Sequence, residues 1–211
     1  MIFVGRKHEK EKISKNLLRG KNVIVTGKFG IGRTSLVKEI AKKMNNRRRF
    51  LFVDFAKTPG KMSDLLMKEL GIFRRFRKTV IKMGYKSMRY RIATSSSRGN
   101  KPVIVFDNIA RLTRQKNVFL RSLIEEDHFQ FIAVCENFLP TKELLLLKAQ
   151  LLPMETVSLN HLPPDNVRQW LRLYSEKHHF NWPETYIDDL TAVVGGYPLG
   201  MIEMVKSAMN K

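Results

Sequence analysis

The chain is 211 residues long and 43% hydrophobic, with 39 Lys and Arg against 19 Asp and Glu, a formal net charge of +20. That much apolar material, including 13 Phe and 10 Met, excludes global disorder, and the length suits one domain with or without a small appended unit. The single cysteine, Cys135, excludes a disulfide framework or a zinc cluster within one chain. An excess of like charge this large repels itself and points to a polyanionic partner. Nucleic acid leads, ahead of an anionic membrane or an acidic protein; a basic surface serving only solubility is the plainer alternative. The opening Met1-Ile-Phe-Val-Gly runs at once into charges, so no secretory signal is expected and a cytoplasmic location fits. No apolar run approaches the ~18 residues of a membrane span.

In chain order, Ile13, Leu17 and Leu18 recur at helical spacing between Glu9 and Arg19, and Gly20 ends that helix. Asn22 to Thr26 is a short apolar run of buried-strand type. Leu36 to Met44 places Leu36, Val37, Ile40, Ala41 and Met44 on one helical face. Phe50 to Phe55 is a second strand, and Ser63 is expected to cap a helix running through Leu70. Val103 to Phe106 is a third strand ending at Asp107. A helix from about Asn117 to Glu126, a strand from Phe129 to Cys135, a helix over Leu144 to Leu152 and a strand from Thr156 to Leu159 follow. Beyond Pro163-Pro164 only helices are expected: one capped by Asp165 and running to His178, one from Pro183 to Gly195-Gly196, one from Pro198 to Met209. Strands alternating with helices predict a parallel sheet covered on both faces. The expected organisation is an α/β domain over residues 1–162 and a three-helix unit over 163–211.

Between the first strand and the helix after it stands Gly27-Lys28-Phe29-Gly30-Ile31-Gly32-Arg33-Thr34-Ser35. The phosphate-binding loop pattern is G-x-x-x-x-G-K-[ST], and strand–loop–helix is the context it needs. Glycines let the backbone wrap an anion, and the N–H groups of the following helix face it. The loop thus predicts binding of a nucleoside triphosphate such as ATP by Gly27, Phe29, Gly30, Ile31, Gly32, Arg33, Thr34 and Ser35, with the Thr34 hydroxyl and Asp107 on Mg²⁺. Arg33 stands where the pattern has Lys, and a planar fork does not replace a compact ammonium conservatively. Asn108 follows Asp107, where many such enzymes carry a glutamate base; an amide holds a water but does not accept its proton. Asn137, after the fourth strand, is the second candidate for contact with the γ-phosphate or the attacking water. Glu136 beside it is a possible substitute base whose direction the sequence does not give.

These pieces resemble the AAA+/STAND group of P-loop ATPases, near origin-recognition initiators, archaeal ATPases and transposition-helper ATPases, with departures in both phosphate-site motifs. The opening Phe3-Val4-Gly5-Arg6-Lys7-His8-Glu9 is similar to the F-V-G-R-x-x-E segment that lies by the adenine in that group. Gly195-Gly196-Tyr197-Pro198-Leu199 is similar to its G-G-x-P-L lid motif. The resemblance covers essentially the whole chain. It implies a P-loop sheet domain followed by a helical lid, with Val4, Gly5, Arg6 and Pro198 beside the nucleotide, and self-association or a partner protein as further features of the group. The sensor arginine that many relatives carry just after the lid proline is absent; Lys206 is the only basic residue of that helix. Arg114 and Arg121 are candidates for an arginine finger, and a solvated helix face explains them equally well.

From Gly71 to Lys101 the chain holds ten Lys or Arg, and no acidic residue occurs between Glu69 and Asp107. Arg74, Arg75, Arg77, Lys78, Lys82, Lys86, Arg89 and Arg91 predict non-specific contact with DNA phosphates. Core packing is the expected role of the interleaved Phe73, Phe76, Tyr85 and Tyr90, with base stacking as the alternative. Ser95 to Asn100 reads as a loop. Arg47-Arg48-Arg49 is a second, shorter cluster. The five histidines, His178-His179 among them, show no metal-ligand spacing. The combined expectation is an ATP-binding domain that holds DNA and uses nucleotide as a switch with little hydrolysis. An active DNA-stimulated ATPase and a nucleotide-free interaction module that kept the fold are the alternatives.

Overall fold

The computed structural model describes residues 2–72, 75–76, 79–80, 85–93 and 101–209. Along these residues run α1 (Lys7–Leu18), β1 (Asn22–Gly27), α2 (Arg33–Met44), β2 (Phe50–Asp54), α3 (Pro59–Leu70), the two-residue strands β3 (Arg75–Phe76) and β4 (Thr79–Val80), and α4 (Tyr85–Ala93). Then follow β5 (Val103–Ile109), α5 (Arg114–Ile124), β6 (Gln130–Cys135), α6 (Thr141–Gln150), β7 (Met154–Leu159), α7 (Pro164–His178), α8 (Glu184–Val194) and α9 (Pro198–Met209). The main sheet is parallel throughout, in the order β2-β5-β6-β1-β7.

Strands buried on both faces must be apolar at every position. In β5, Val103 and Val105 join the core beneath α1 and α2, while Ile104 and Phe106 join the core beneath α3 to α6. In β6, Ile132 and Val134 face the first helices and Phe131, Ala133 and Cys135 the second. Phe106 is the hub of the second core. Its ring is edge-on to Phe55 at 5.2 Å and stacked on Phe131 at 6.0 Å. A third core is formed by α7, α8 and α9, through Val167, Trp170, Leu171, Ile187, Met201 and Val205, and it includes Val4 from the opening segment.

The sheet order fixes where a ligand crevice lies. From β1 the chain leaves through α2 on one face, whereas from its neighbour β6 it leaves through α6 on the other. Connections that part to opposite faces leave a gap at the carboxyl ends of the two strands.

Several local expectations need correction. The helix before Gly71 starts at Pro59, and its cap is Thr58, whose Oγ1 accepts from the Lys61 N–H at 3.5 Å. Ser63 is instead buried inside that helix and donates to the Pro59 carbonyl. Proline at the first helical position after a threonine is the stronger start signal. Pro163, not Asp165, occupies the N-cap of α7; Asp165 lies in the first turn and pairs with Arg168 at 3.0 Å. The Asp107 strand continues to Ile109 through a shift of register after Phe106. Within the basic stretch lie β3, β4 and α4. Ser95 to Asn100 lies outside the described residues.

Candidate nucleotide site

The glycine loop closes between β1 and α2 as its spacing requires. Gly32 (φ 93°) is the N-cap of α2, in a left-handed conformation that favours glycine. Its carbonyl accepts from the Leu36 N–H at 2.9 Å, so α2 opens directly from the glycine loop. At Gly30 (φ 73°) a Cβ would stand 2.6 Å from the Tyr197 hydroxyl and 2.7 Å from Leu199 Cβ. The Tyr-Pro-Leu segment therefore descends directly onto the loop, and the Tyr197 hydroxyl donates to the Phe29 carbonyl at 2.6 Å. The Phe29 side chain itself is exposed.

Thr34 Oγ1 donates to Asp107 Oδ1 at 2.9 Å. A hydroxyl and a carboxylate so placed at the head of the loop are the hard oxygen donors that Mg²⁺ takes alongside water and phosphate oxygens. The residues present fit that ion. Asn108 is held at φ 61°, and its N–H donates to Asp107 Oδ1 at 3.1 Å. Its side-chain amide donates to Asp54 Oδ1 at 3.3 Å. Asp54 stands opposite Asp107 in the strand register, so the irregular end of β5 brings a second carboxylate beside Asp107. The amide of Asn108 is bound to that carboxylate.

Arg33 is turned inward. Its side chain is 6% exposed; Nη1 donates to the Cys135 carbonyl, and Nη2 donates to Glu136 Oε2 at 2.5 Å. Glu136, 9% exposed, thus occupies the crevice between the ends of β1 and β6. Asn137 lies beyond it in an exposed turn. The same burial acts on the neighbouring thiol: desolvation pushes Cys135 up to about 12, against a smaller opposing effect of Arg33.

Arg6 also faces inward, and it ties three segments together. It donates to Glu9 at 3.0 Å, to the Ile31 carbonyl at 3.4 Å and to the Asn160 carbonyl at 2.5 Å. Gly5 (φ 67°) packs so close to Asn166 that a Cβ would overlap its amide. Beside these residues lies a cleft of about 330 Å³. Val4, Ile31, Leu162, Trp170, Pro198 and Met201 give it apolar walls, Gly32 and Ser35 join it to the loop, and Arg6, Lys177 and Lys206 line it as well. Trp170 stacks on Tyr174 at 5.0 Å, and His178 stacks on Tyr174 at 4.3 Å. His178 is exposed and joins this stack of rings at the surface, and no metal-holding cluster of His, Cys, Asp or Glu occurs among the described residues.

The structure therefore brings Val4, Gly5, Arg6, Pro198 and the loop from Gly27 to Ser35 together, with Asp107 and Asn108 at the loop's head. The residues missed as structural parts of this site are Tyr197, Asp54 and, as the partner of Arg33, Glu136. Tyr197 is visible inside the Gly-Gly-Tyr-Pro-Leu motif, and Glu136 stands in the sequence only as a possible base; nothing local marks Asp54. Of the basic segment, Lys86 and Arg91 are exposed on α4, which packs against α3 and α5 with Ile92 buried. Tyr90 is 68% exposed, so the expected core packing does not hold for it. Arg75 and Arg89 lie in β3 and α4. Arg74, Arg77, Lys78, Lys82 and Phe73 lie outside the described residues. Arg121 pairs with Glu125 one turn along the exposed face of α5, and Arg114 is exposed at the start of that helix.

A parallel sheet of this order, with a glycine loop after β1 and a carboxylate at the end of β5, defines the class as a P-loop α/β fold with C-terminal helices. Residues 18–142 match the family model described as the AAA domain. That is more than half of the chain, which belongs to the AAA domain family. No curated protein matches the sequence. Among solved structures, the chain is similar to the Orc1 protein of Aeropyrum pernix in complex with DNA, at 14% identity and a TM-score of 0.72, covering 98% of this chain and 60% of that one. It is similar to the RuvB Holliday junction branch migration motor of Thermotoga maritima, at 17% identity and a TM-score of 0.64, over 97% of this chain and 61% of that one. A Pyrococcus horikoshii STAND protein with a tetratricopeptide repeat sensor shares 18% identity and a TM-score of 0.56, over 95% of this chain and 29% of that one. At these identities the likeness is one of fold. The chain spans about three fifths of the Orc1 and RuvB chains or less of the third.

Proposed function

We propose that this domain binds ATP with Mg²⁺ and that occupancy of the site, more than turnover, is what it transmits. The observation that carries the reading is the junction of three features: the N-terminal end of α2 opening from the glycine loop, the Thr34–Asp107 oxygen pair, and the apolar cleft beside Ile31 and Trp170. In this reading the cleft takes the base, the loop from Gly27 to Ser35 takes the phosphates, and Thr34 and Asp107 hold Mg²⁺. When bound, that ion neutralises charge on the phosphate oxygens. Residues 163–211 act as a lid. Tyr197 and Leu199 couple it to the loop, so phosphate in the loop biases the lid through contacts already made.

Slow turnover is supported by two side chains. Asn108 does not accept a proton, and general-base assistance is worth roughly 10²–10⁴ in rate. Arg33 is committed to Glu136 and the Cys135 carbonyl. A titration with Mg²⁺ and ATP should show binding without appreciable phosphate release. Clear DNA-stimulated release would establish the active-ATPase alternative, and failure to bind ATP at millimolar concentration would favour the interaction module.

The partner we propose is DNA, held non-specifically by Lys86, Arg91 and the basic residues flanking them. The net charge of +20 and the acid-free stretch before Asp107 support it. The Orc1 relative was solved in complex with DNA, and the RuvB relative is a Holliday junction motor. No helix of the described residues is long and apolar enough to cross a membrane. A cytoplasmic site of action and assembly with further copies or a partner protein belong to the same proposal. Affinity for duplex DNA that does not fall between low and physiological salt would contradict the phosphate-contact mechanism.

A further inference from the structure

We propose that Glu136 sets the phosphate specificity of the loop: as the internal counter-ion of Arg33, it makes the site bind nucleoside diphosphate at least as tightly as triphosphate. This rests on the nucleotide reading above and names the ligand that the site prefers.

The loop pattern divides its work between two kinds of donor. Backbone amides cradle the α- and β-phosphates, and the cation near the end of the motif reaches the β- and γ-phosphates. Here that cation is Arg33, and both terminal nitrogens of its guanidinium already have acceptors. One donates to a backbone carbonyl at the end of β6, the other to Glu136 at 2.5 Å. The pair is 6% and 9% exposed, so water screens it little. The other arginine near the loop, Arg6, donates to Glu9 and to two backbone carbonyls. Lys28, within the loop, is exposed. What faces a phosphate is the loop backbone and the N-terminal end of α2, apart from the Ile31 N–H, which already donates to the Lys28 carbonyl at 3.2 Å.

Two consequences follow for a third phosphate. Its added negative charge meets a guanidinium whose own charge is balanced, with the balancing carboxylate close by. Drawing Arg33 away from that carboxylate would leave Glu136 buried without a counter-ion, which opposes the exchange. The diphosphate needs only the amides and the Thr34–Asp107 pair, so it loses nothing to either effect. The pair also spans the crevice between β1 and β6, where the arginine that replaces the loop's usual lysine meets the glutamate that follows β6.

The test is titration calorimetry of the full chain with ADP and, separately, ATP, each with Mg²⁺, on the wild type and on Glu136→Gln. Gln keeps an acceptor for Arg33 and removes the charge. The wild type should bind ADP as tightly as ATP or more tightly. Glu136→Gln should shift the ratio of the two affinities toward ATP by about tenfold, the equivalent of ~1.4 kcal/mol, while ADP affinity stays nearly constant. A wild-type preference for ATP, or a ratio that Glu136→Gln leaves unmoved, would overturn the assignment. The wild-type ratio needs no variant, and Glu136→Ser gives a second neutral acceptor should Glu136→Gln fail to fold. If neither nucleotide binds, the nucleotide reading itself fails and this inference falls with it. Binding with a preference for ATP overturns only the role of Glu136.

Discussion

Replacing Arg33 by Met removes a cation from a site where water cannot take its place. Glu136 is 9% exposed and its partner 6%, at 2.5 Å, so the pair is not one of the screened surface pairs worth ~0–1 kcal/mol. Breaking a buried pair from one side costs about 3–5 kcal/mol, because the remaining charge stays buried and uncompensated. The Cys135 carbonyl also loses a donor. In a chain of this length each kcal/mol moves Tm by roughly 2–4 °C, so Arg33→Met should melt about 6–20 °C below the wild type. The double variant Arg33→Met/Glu136→Leu removes both charges and should recover to within about 1 kcal/mol of the wild type, since apolar replacement of a whole pair is often neutral. Urea unfolding followed by circular dichroism, without nucleotide, gives all corners of the cycle. A loss under ~1 kcal/mol for Arg33→Met would mean that the pair is effectively solvated, and a double variant no better than Arg33→Met would mean that packing, not charge, holds the crevice.

Further outcomes test other parts of the account. Gly196 (φ 77°) would place a Cβ 2.1 Å from the Leu162 carbonyl oxygen, whereas a Cβ at Gly195 (φ 58°) meets nothing within 4 Å. Gly195→Ala should therefore cost only the ~1–2 kcal/mol of a left-handed residue; Gly196→Ala should cost more and disturb the hinge bond from the Leu162 N–H to the Gly196 carbonyl, which paired thermal melts would show. Burial raises the Cys135 thiol to about 12, so the unfolded chain ionises first. Stability from this group is complete below the unfolded value of ~8.5 and lost as pH rises toward 12, with a slope of up to about 1.4 kcal/mol per pH unit. Cys135→Ala should flatten that part of the alkaline profile, and an unchanged profile would refute the cause. Lys86→Ala and Arg91→Ala should each reduce the slope of log affinity for duplex DNA against log salt by about 0.9 if each meets one phosphate; unchanged slopes would move the interface elsewhere.

The glycine loop was legible because its chemistry is local: three glycines between an apolar strand and a helical face admit few other readings. Asp107 was legible for the same reason, at the end of Val103-Ile-Val-Phe. The partner of Arg33 was not. Glu136 lies 103 positions away, and only the placement of β6 beside β1 aims it into the crevice. Position 137 drew the functional expectation because a polar side chain after a strand is a local signal, whereas the direction of the preceding residue depends on where β6 ends. Asp54 escaped notice because strand register, not sequence spacing, sets it beside Asp107. The α4 helix is hidden by its own composition, since Lys86, Ser87, Arg89 and Arg91 around Ile92 dilute the apolar stripe that marks a helix. At α3, the Thr-Pro start is a stronger signal than Ser63, which lies inside the helix.

The central claim is that this fold still holds a nucleotide at the Gly27–Ser35 loop. Its most direct test is a titration of fluorescent-labelled ADP against the full chain, with Mg²⁺ present and then chelated, repeated on Thr34→Ala. The account predicts saturable binding of one nucleotide per chain that weakens when Mg²⁺ is removed and weakens similarly in Thr34→Ala. No saturation at millimolar nucleotide in the folded wild-type protein, or binding indifferent to both Mg²⁺ and Thr34, would contradict it.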